Sequence, residues 1–290
     1  MRPSALKTRI FLDSGDPQET ASVIKALGFL DGQTTNPTLI AKNPEAQKRL
    51  QEGKKFSTEE VYSFYKNIIT EISNMIPDGS ISIEVYSDAL TTAAAMFEQG
   101  KAMNTWIPNA HIKYPTTASG LAAAEKSVQQ NMRVNMTLCF TQEQAAAVYA
   151  ATNGAKKGQV FLSPFIGRLD DIGQNGMDLI KNIIAMYKNS DHHVEVLTAS
   201  ARSLEHFMCA LHLGSDIITA PAKILLQWAE AGMPLPPENY IYSVPALTII
   251  APSTINLTQN WQNFNIDHQL TTKGIQKFSE DWNALVISNS

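Results

Sequence analysis

The chain predicts an α/β protein folded as a closed (β/α)8 barrel (a TIM barrel) with one additional C-terminal helix. Three observations carry this. Eight short runs rich in β-branched and apolar residues recur between residues 9 and 221. Amphipathic stretches with helix start and stop signals separate them. The length, 290 residues, suits a barrel, which typically takes about 250. A doubly wound open sheet is the alternative; it would use fewer strands or leave some of the runs as loops.

The first run, RIFLDS (9–14), ends on Asp13. In the DSGDP that follows, Asp13 or Asp16 also suits the N-cap of a first helix. The second, GQTTN (32–36), ends in Thr34, Thr35 and Asn36; an amide before Pro37 also suits a plain turn. STEEVYSFYKNIITEISNMI opens with capping-box spacing at Ser57 and Glu60. Its Val61, Phe64, Ile68, Ile72 and Met75 recur every three or four positions and make one helical face apolar. SISIEV (80–85) brings Glu84. AHIKYP (110–115) brings Lys113, with Ile112 and Tyr114 beside it and Pro115 after. RVNMTLCF (133–140) brings Asn135 and Thr137. FTQEQAAAVYAATNG repeats the box spacing at Thr141 and Gln144 and stops at Gly154. QVFLSPF (159–165) brings Ser163, with Arg168 just beyond, and HVEVLTAS (193–200) brings Ser200, with Arg202 beyond. SDIITAP (215–221) is the eighth run. After AKILLQWAEAG, residues 232–270 carry no clear pattern, and the amphipathic TTKGIQKFSEDWNAL closes the chain. No linker or low-complexity segment divides it, so residues 1–290 read as one barrel domain that includes the extension from about 232.

Bulk properties exclude several classes of function. The hydrophobic fraction is 44% and the charged fraction 17%, enough for a large core. A net charge of −4 with no basic run gives no reason to expect nucleic acid or an anionic membrane as partner. No apolar run approaches the roughly 18 residues of a membrane span. The N-terminal MRPSALKTRIFLDSGDP lacks an apolar secretory core, and Cys139 and Cys209 do not make a disulfide framework. The expected location is therefore the reducing cytoplasm.

In a barrel the C-terminal ends of all strands meet on one face, and that face holds the active site. One lysine, two carboxylates, two amides, several hydroxyls and two arginines then share one mouth. A neutral lysine attacks a carbonyl to form a Schiff base, and burial disfavours the charged ammonium. The iminium is an electron sink that permits a C–C bond to break or form beside the former carbonyl. Asp13 and Glu84 are the groups to take and return protons. Asn36 and Asn135 suit sugar hydroxyls; Ser200 and Arg202, where a strand leads into a helix, suit a phosphate. Plainer readings stand beside these. Glu84 and Lys113 make a structural ion pair, Arg168 pairs with Asp170 or Asp171, and Arg202 is unfavourable at a helix start unless an anion waits there. In HFMCALH, His206, Cys209 and His212 read as core and lining residues rather than metal ligands, and Asp191, His192 and His193 fall at the N-terminal, structural end of a strand. No metal or cofactor is expected.

FLDSGDP, TTNPTLI, SIEV, HIKYPTTASGL, VNMTLCF, LSPFIGRLDD and LTASARS, in this order, resemble the strand motifs of the transaldolase family, and GIQKFSEDWNAL resembles its last helix. The resemblance covers about residues 9–222 and 271–285. It implies metal-independent transfer of a dihydroxyacetone unit from sedoheptulose 7-phosphate or fructose 6-phosphate to an aldose phosphate, in the non-oxidative pentose phosphate pathway. Lys113 would then be the Schiff-base lysine and Asp13 the acid/base of the C–C step. Glu84 and Thr137 would position a water. Asn36, Asn135 and Ser163 would contact the dihydroxyacetone moiety, and Ser200, Arg202 and Arg168 the phosphate. Fructose 6-phosphate aldolase, a relative that releases free dihydroxyacetone, carries glutamine where Glu84 stands and tyrosine where Phe165 stands; this chain has the transaldolase choice at both. The alternatives are such an aldolase, or a catalytically inactive barrel that binds a sugar phosphate. The expected partners are sugar phosphates, and the expected assembly is a homo-oligomer, a dimer first. Two features depart from the family pattern: Tyr114 after the lysine, and residues 232–270.

Overall fold

The first strand, β1 (Arg9–Asp13), is paired on one side with β2 (Gly32–Thr34) and on the other with β8 (Ile217–Ala220). Between them run β3 (Ser80–Glu84), β4 (Ala110–Pro115), β5 (Val134–Cys139), β6 (Val160–Pro164) and β7 (Val194–Thr198), each parallel to its neighbours. The eight strands close into a barrel in sequence order, as the pattern predicts. This computed structural model describes residues 2–243 and 246–287.

Around the strands lie α1 (Pro17–Leu27), α2 (Pro37–Ala41), α3 (Pro44–Gln51), α4 (Thr58–Met75), α5 (Ala93–Asn104) and α6 (Ala118–Gln129). Then come α7 (Gln142–Ala151), α8 (Ile166–Asp170), α9 (Gly176–Tyr187), α10 (Leu204–Leu213), α11 (Ala222–Glu230) and α12 (Gln269–Leu285). Local signals set their starts. Ser57 and Glu60 form the full reciprocal box on α4. Asp16, not Asp13, caps α1, its carboxylate accepting from Gln18 N at 2.9 Å. At α7 only half of the box forms. Thr141 accepts from Gln144 N, but Gln144 accepts from Phe140 N and gives its amide hydrogens to Ile266 O and Thr271 Oγ1, each at 2.9 Å.

The contact to Ile266 reaches into residues 232–270. In its described part this strap has one short 3-10 helix, Trp261–Asn263, and several of its backbone groups bond side chains of other elements. Asn182 of α9 donates to Ile250 O at 2.8 Å. Gln142 of α7 donates to Ala251 O and accepts from Ser253 N, each at 2.9 Å. Trp261 donates to Glu125 of α6 at 3.2 Å. The strap delivers α12 to the C-terminal mouth of the barrel, where Thr271 donates to Leu138 O of β5 at 2.9 Å. The opposite end is plugged. Arg9 pairs with Glu195 at 2.8 Å, and His111 stacks on Phe161 with centroids 4.0 Å apart. Burial pushes His111 down to about 3, so it is neutral there.

Tyr114 also finds its reason. Alternation along β4 turns Lys113 into the barrel and Tyr114 out, between α5 and α6. It is fully buried, and its hydroxyl lies 3.0 Å from Ser127 Oγ on α6. On α5, Gly100 leaves the room: a Cβ there would stand 2.0 Å from the Tyr114 oxygen. A large side chain on β4 thus packs against an absent one on α5. Gly100→Ala is expected to lower stability by about 1–3 kcal/mol in urea unfolding, and adding Tyr114→Phe to recover part of the loss.

Candidate active site

Lys113 is 1% exposed, although it carries an amine. The parallel register fixes its neighbours: Glu84 stands beside it on β3 and Asn135 on β5. Its Nζ lies 3.1 Å from Glu84 Oε2, donates to Thr35 O at 3.2 Å, and sits 5.8 Å from the centre of the Phe165 ring. The structural ion pair read from the sequence is therefore formed, inside the cluster that the chemical reading requires. Asp13 completes it from β1 and accepts from Thr34 Oγ1 at 2.7 Å; that hydroxyl lies 2.6 Å from Thr219 Oγ1. Burial raises the carboxyls of both Asp13 and Glu84 above the usual range, and the charge of Lys113 opposes the rise.

A chain of hydrogen bonds orients the amide on β5. Ser163 donates to Asn135 Oδ1 at 2.7 Å, and Asn135 donates to Ser82 Oγ at 2.9 Å. Thr137 Oγ1 is buried without a partner among the described residues, and Glu84 Oε2 has only the ammonium. Such atoms call for a water or a ligand hydroxyl. Asn36 has two uses: its side chain accepts from Leu39 N at 2.9 Å, capping α2, and the residue lines the cavity.

The cavity holds about 270 Å3 and is lined by Asp13, Asn36, Lys113, Ser163, Arg168, Ser200 and Arg202. Glu84, Asn135 and Thr137 lie behind this surface. Among the linings not read from the sequence as site residues are Thr38 on α2, Thr219 on β8, and Lys277 and Phe278 on α12. Asp281, one turn further along α12, joins two of these, accepting from Lys277 Nζ at 2.6 Å and from the Thr38 hydroxyl. A larger cavity of about 530 Å3 opens at the other end of the barrel, beside Tyr187 and Glu195, and contains none of these groups.

The two arginines are held differently. Arg202, not Arg168, takes the neighbouring aspartate: both its terminal nitrogens donate to Asp171. This carboxylate is the anion that a cation before the start of α10 needs. Gly167 lets the two segments meet, since a Cβ there would stand 2.5 Å from Ser200 O and 2.6 Å from Arg202 Nε. Ser200 itself is in the left-handed region, at φ 59, a conformation with a cost for a residue that has a Cβ. Arg168 has no carboxylate paired with it among the described residues. Its guanidinium lies 5.3 Å from the ring centres of both Phe165 and Phe278. Of the other polar groups singled out, His206 bonds Asp170 at 2.8 Å and His193 bonds Asp191 at 2.5 Å, both away from Lys113.

Residues 10–289 match the family model described as transaldolase/fructose-6-phosphate aldolase. The chain belongs to this family. Among curated relatives, a probable transaldolase of Dehalococcoides mccartyi is 37% identical over 77% of this chain and 90% of its own. One from Caulobacter vibrioides is 34% identical over 94% of this chain and 96% of its own. One from Thermoplasma volcanium is 37% identical over 75% and 86%.

The electrostatics give a pH-dependent expectation. Lys113 opposes the upward shift of Glu84 and Asp13. In Lys113→Met that opposition is gone, so both carboxyls should hold their protons to higher pH than in the unaltered protein. Carbon-13 titration of the side-chain carboxyls measures this; midpoints that stay put or fall would contradict it.

Proposed function

We propose that the protein is a transaldolase, which moves a dihydroxyacetone unit from a ketose phosphate to an aldose phosphate through a Schiff base on Lys113. The observation that carries this is the lysine, 1% exposed, at the C-terminal mouth of the barrel between Glu84 and Asp13. Sedoheptulose 7-phosphate or fructose 6-phosphate is the donor in this reading. Erythrose 4-phosphate or glyceraldehyde 3-phosphate is the acceptor, and the setting is the pentose phosphate pathway of the cytoplasm.

Each step has a group. The Lys113 amine attacks the ketose carbonyl carbon, and loss of water from the carbinolamine gives an iminium. Glu84, with the free Thr137 hydroxyl, holds the water that carries protons in this exchange. Asp13 then takes the proton of the hydroxyl two carbons from the iminium carbon. The C–C bond between breaks, its electron pair enters the iminium to give an enamine, and an aldose phosphate leaves. The acceptor aldehyde is attacked in the reverse sense, and Asp13 returns the proton. Asn36, Asn135 and Ser163 hold the hydroxyls of the bound three-carbon unit. Arg168, Ser200 and Arg202 hold the phosphate, which must share Arg202 with Asp171.

Phe165 bears on whether the unit is transferred or released. Its ring, 7% exposed, faces the ammonium and offers water no hydrogen bond. A dry wall beside the enamine lets it wait for an aldehyde.

Borohydride reduction in the presence of fructose 6-phosphate should leave a three-carbon adduct on the peptide containing Lys113, read by intact mass and peptide mapping, with none in Lys113→Met. No adduct in folded protein would sink the proposal and leave a sugar-phosphate-binding barrel. The variant Glu84→Gln with Phe165→Tyr should release dihydroxyacetone from fructose 6-phosphate without an acceptor faster than the unaltered protein does. Equal or slower release would count against Phe165 as the dry wall.

A further inference from the structure

Arg168 is gripped by parts of the chain far apart in sequence. Phe165, at the end of β6, offers one ring. Phe278 of α12 offers a second, and both ring centres are 5.3 Å from the guanidinium carbon. Both phenylalanines are buried, at 7% and 5% exposure, so the contacts are shielded from solvent. One helical turn before Phe278 stands Gly274. A Cβ there would meet Arg168 Nη1 at 2.7 Å and Leu138 Cδ2 at 2.6 Å, with only the tips of side chains in the way. Residues four apart lie on one helix face, so Gly274 and Phe278 together form a slot on α12 that receives the arginine.

The slot differs in kind from the grip on Arg202. A carboxylate holds Arg202 and occupies its donors. Aromatic rings hold Arg168 without taking its hydrogens, and among the described residues its N–H groups donate to no side chain or carbonyl. An incoming phosphate then meets one arginine already aimed, with no internal anion to displace.

We infer that Gly274 and Phe278 of the last helix are positioning residues that set Arg168 for the phosphate of the substrate. The inference rests on the proposed function for the identity of the substrate, but not for its test, which uses inorganic phosphate alone. The full-length protein is titrated with phosphate by calorimetry, as the unaltered chain and as Phe278→Leu, Phe278→Tyr and Gly274→Ala. Leucine keeps an apolar side chain but removes the π face, and should weaken phosphate binding about fivefold. Tyrosine should restore it to within about twofold, because the face is kept. Gly274→Ala pushes on Nη1 and should weaken binding as well, which keeps the test open if Phe278→Leu fails to fold. In an Arg168→Lys background, Phe278→Leu should cause no further loss, since both changes act on one contact. Phosphate binding unaffected by Phe278→Leu, an equal loss with leucine and tyrosine, or additive losses with Arg168→Lys would each overturn the inference. Failure of the borohydride adduct on Lys113 would overturn the transaldolase reading instead, and leave this result standing or falling separately.

Discussion

One ammonium and two carboxylates are enclosed within a single barrel, and much of the structure follows from keeping them there. Removing such charges from water costs several kcal/mol for each ion in ordinary proteins, and attraction offsets this only when geometry is good. Here strand register supplies the geometry. Glu84 on β3 is directly abreast of Lys113 on β4, so their side chains project inward at one height. Thr35 O takes a second hydrogen of the ammonium, and Thr34 bonds Asp13. The raised carboxyl pKa values of Asp13 and Glu84 record that the offset is incomplete. A buried cluster with carboxyls shifted upward and coupled to one lysine is suited to proton exchange.

The barrel separates this cluster from its own support. At the N-terminal end, Arg9, Glu195, His111 and Phe161 close the interior with one ion pair and a stacked neutral ring. Outside, apolar residues pack strands against helices; Tyr114 against Gly100 is an instance where one large side chain and one absent side chain fit together. Where the outer layer reaches the cluster it supports it: the Tyr65 hydroxyl on α4 accepts from Glu84 N at 3.0 Å. The mouth is therefore free to hold buried charges and a strained Ser200, which the rest of the fold stabilises.

All eight strands were legible because each is a short apolar run bounded by turn residues. The inward groups were legible for a related reason: alternation sends Glu84, Lys113, Asn135, Thr137 and Ser163 to the same side once the barrel is assumed. What the sequence hid was contact between distant segments. Residues 232–270 show no periodicity, and in the described part several backbone groups bond Gln142, Asn182 and Glu143 of other helices rather than following a repeat of their own. Nearness in sequence assigned the aspartates 170 and 171 to Arg168, yet the turn of α8 carries Asp171 to Arg202. The amphipathic pattern of α12 announced a helix, but nothing in it said that Lys277 and Phe278 would line the mouth. That depends on where a strap of nearly forty residues, about 232–268, sets the helix down.

This placement links two demands that are separate in chemical terms. An enamine on Lys113 needs a wall without water, and a phosphate needs an arginine held still with its donors free. Phe165 meets both, since one ring faces the lysine at 5.8 Å and the guanidinium of Arg168 at 5.3 Å. Phe278 adds a second ring at 5.3 Å, and the helix that carries it is tied to α2 where Asp281 accepts from Thr38, next to the Asn36 turn of the site. In the proposed reaction, the wall beside the lysine and the rings around Arg168 therefore belong to one layer of side chains, contributed by the end of β6 and by α12, rather than to two independent sites.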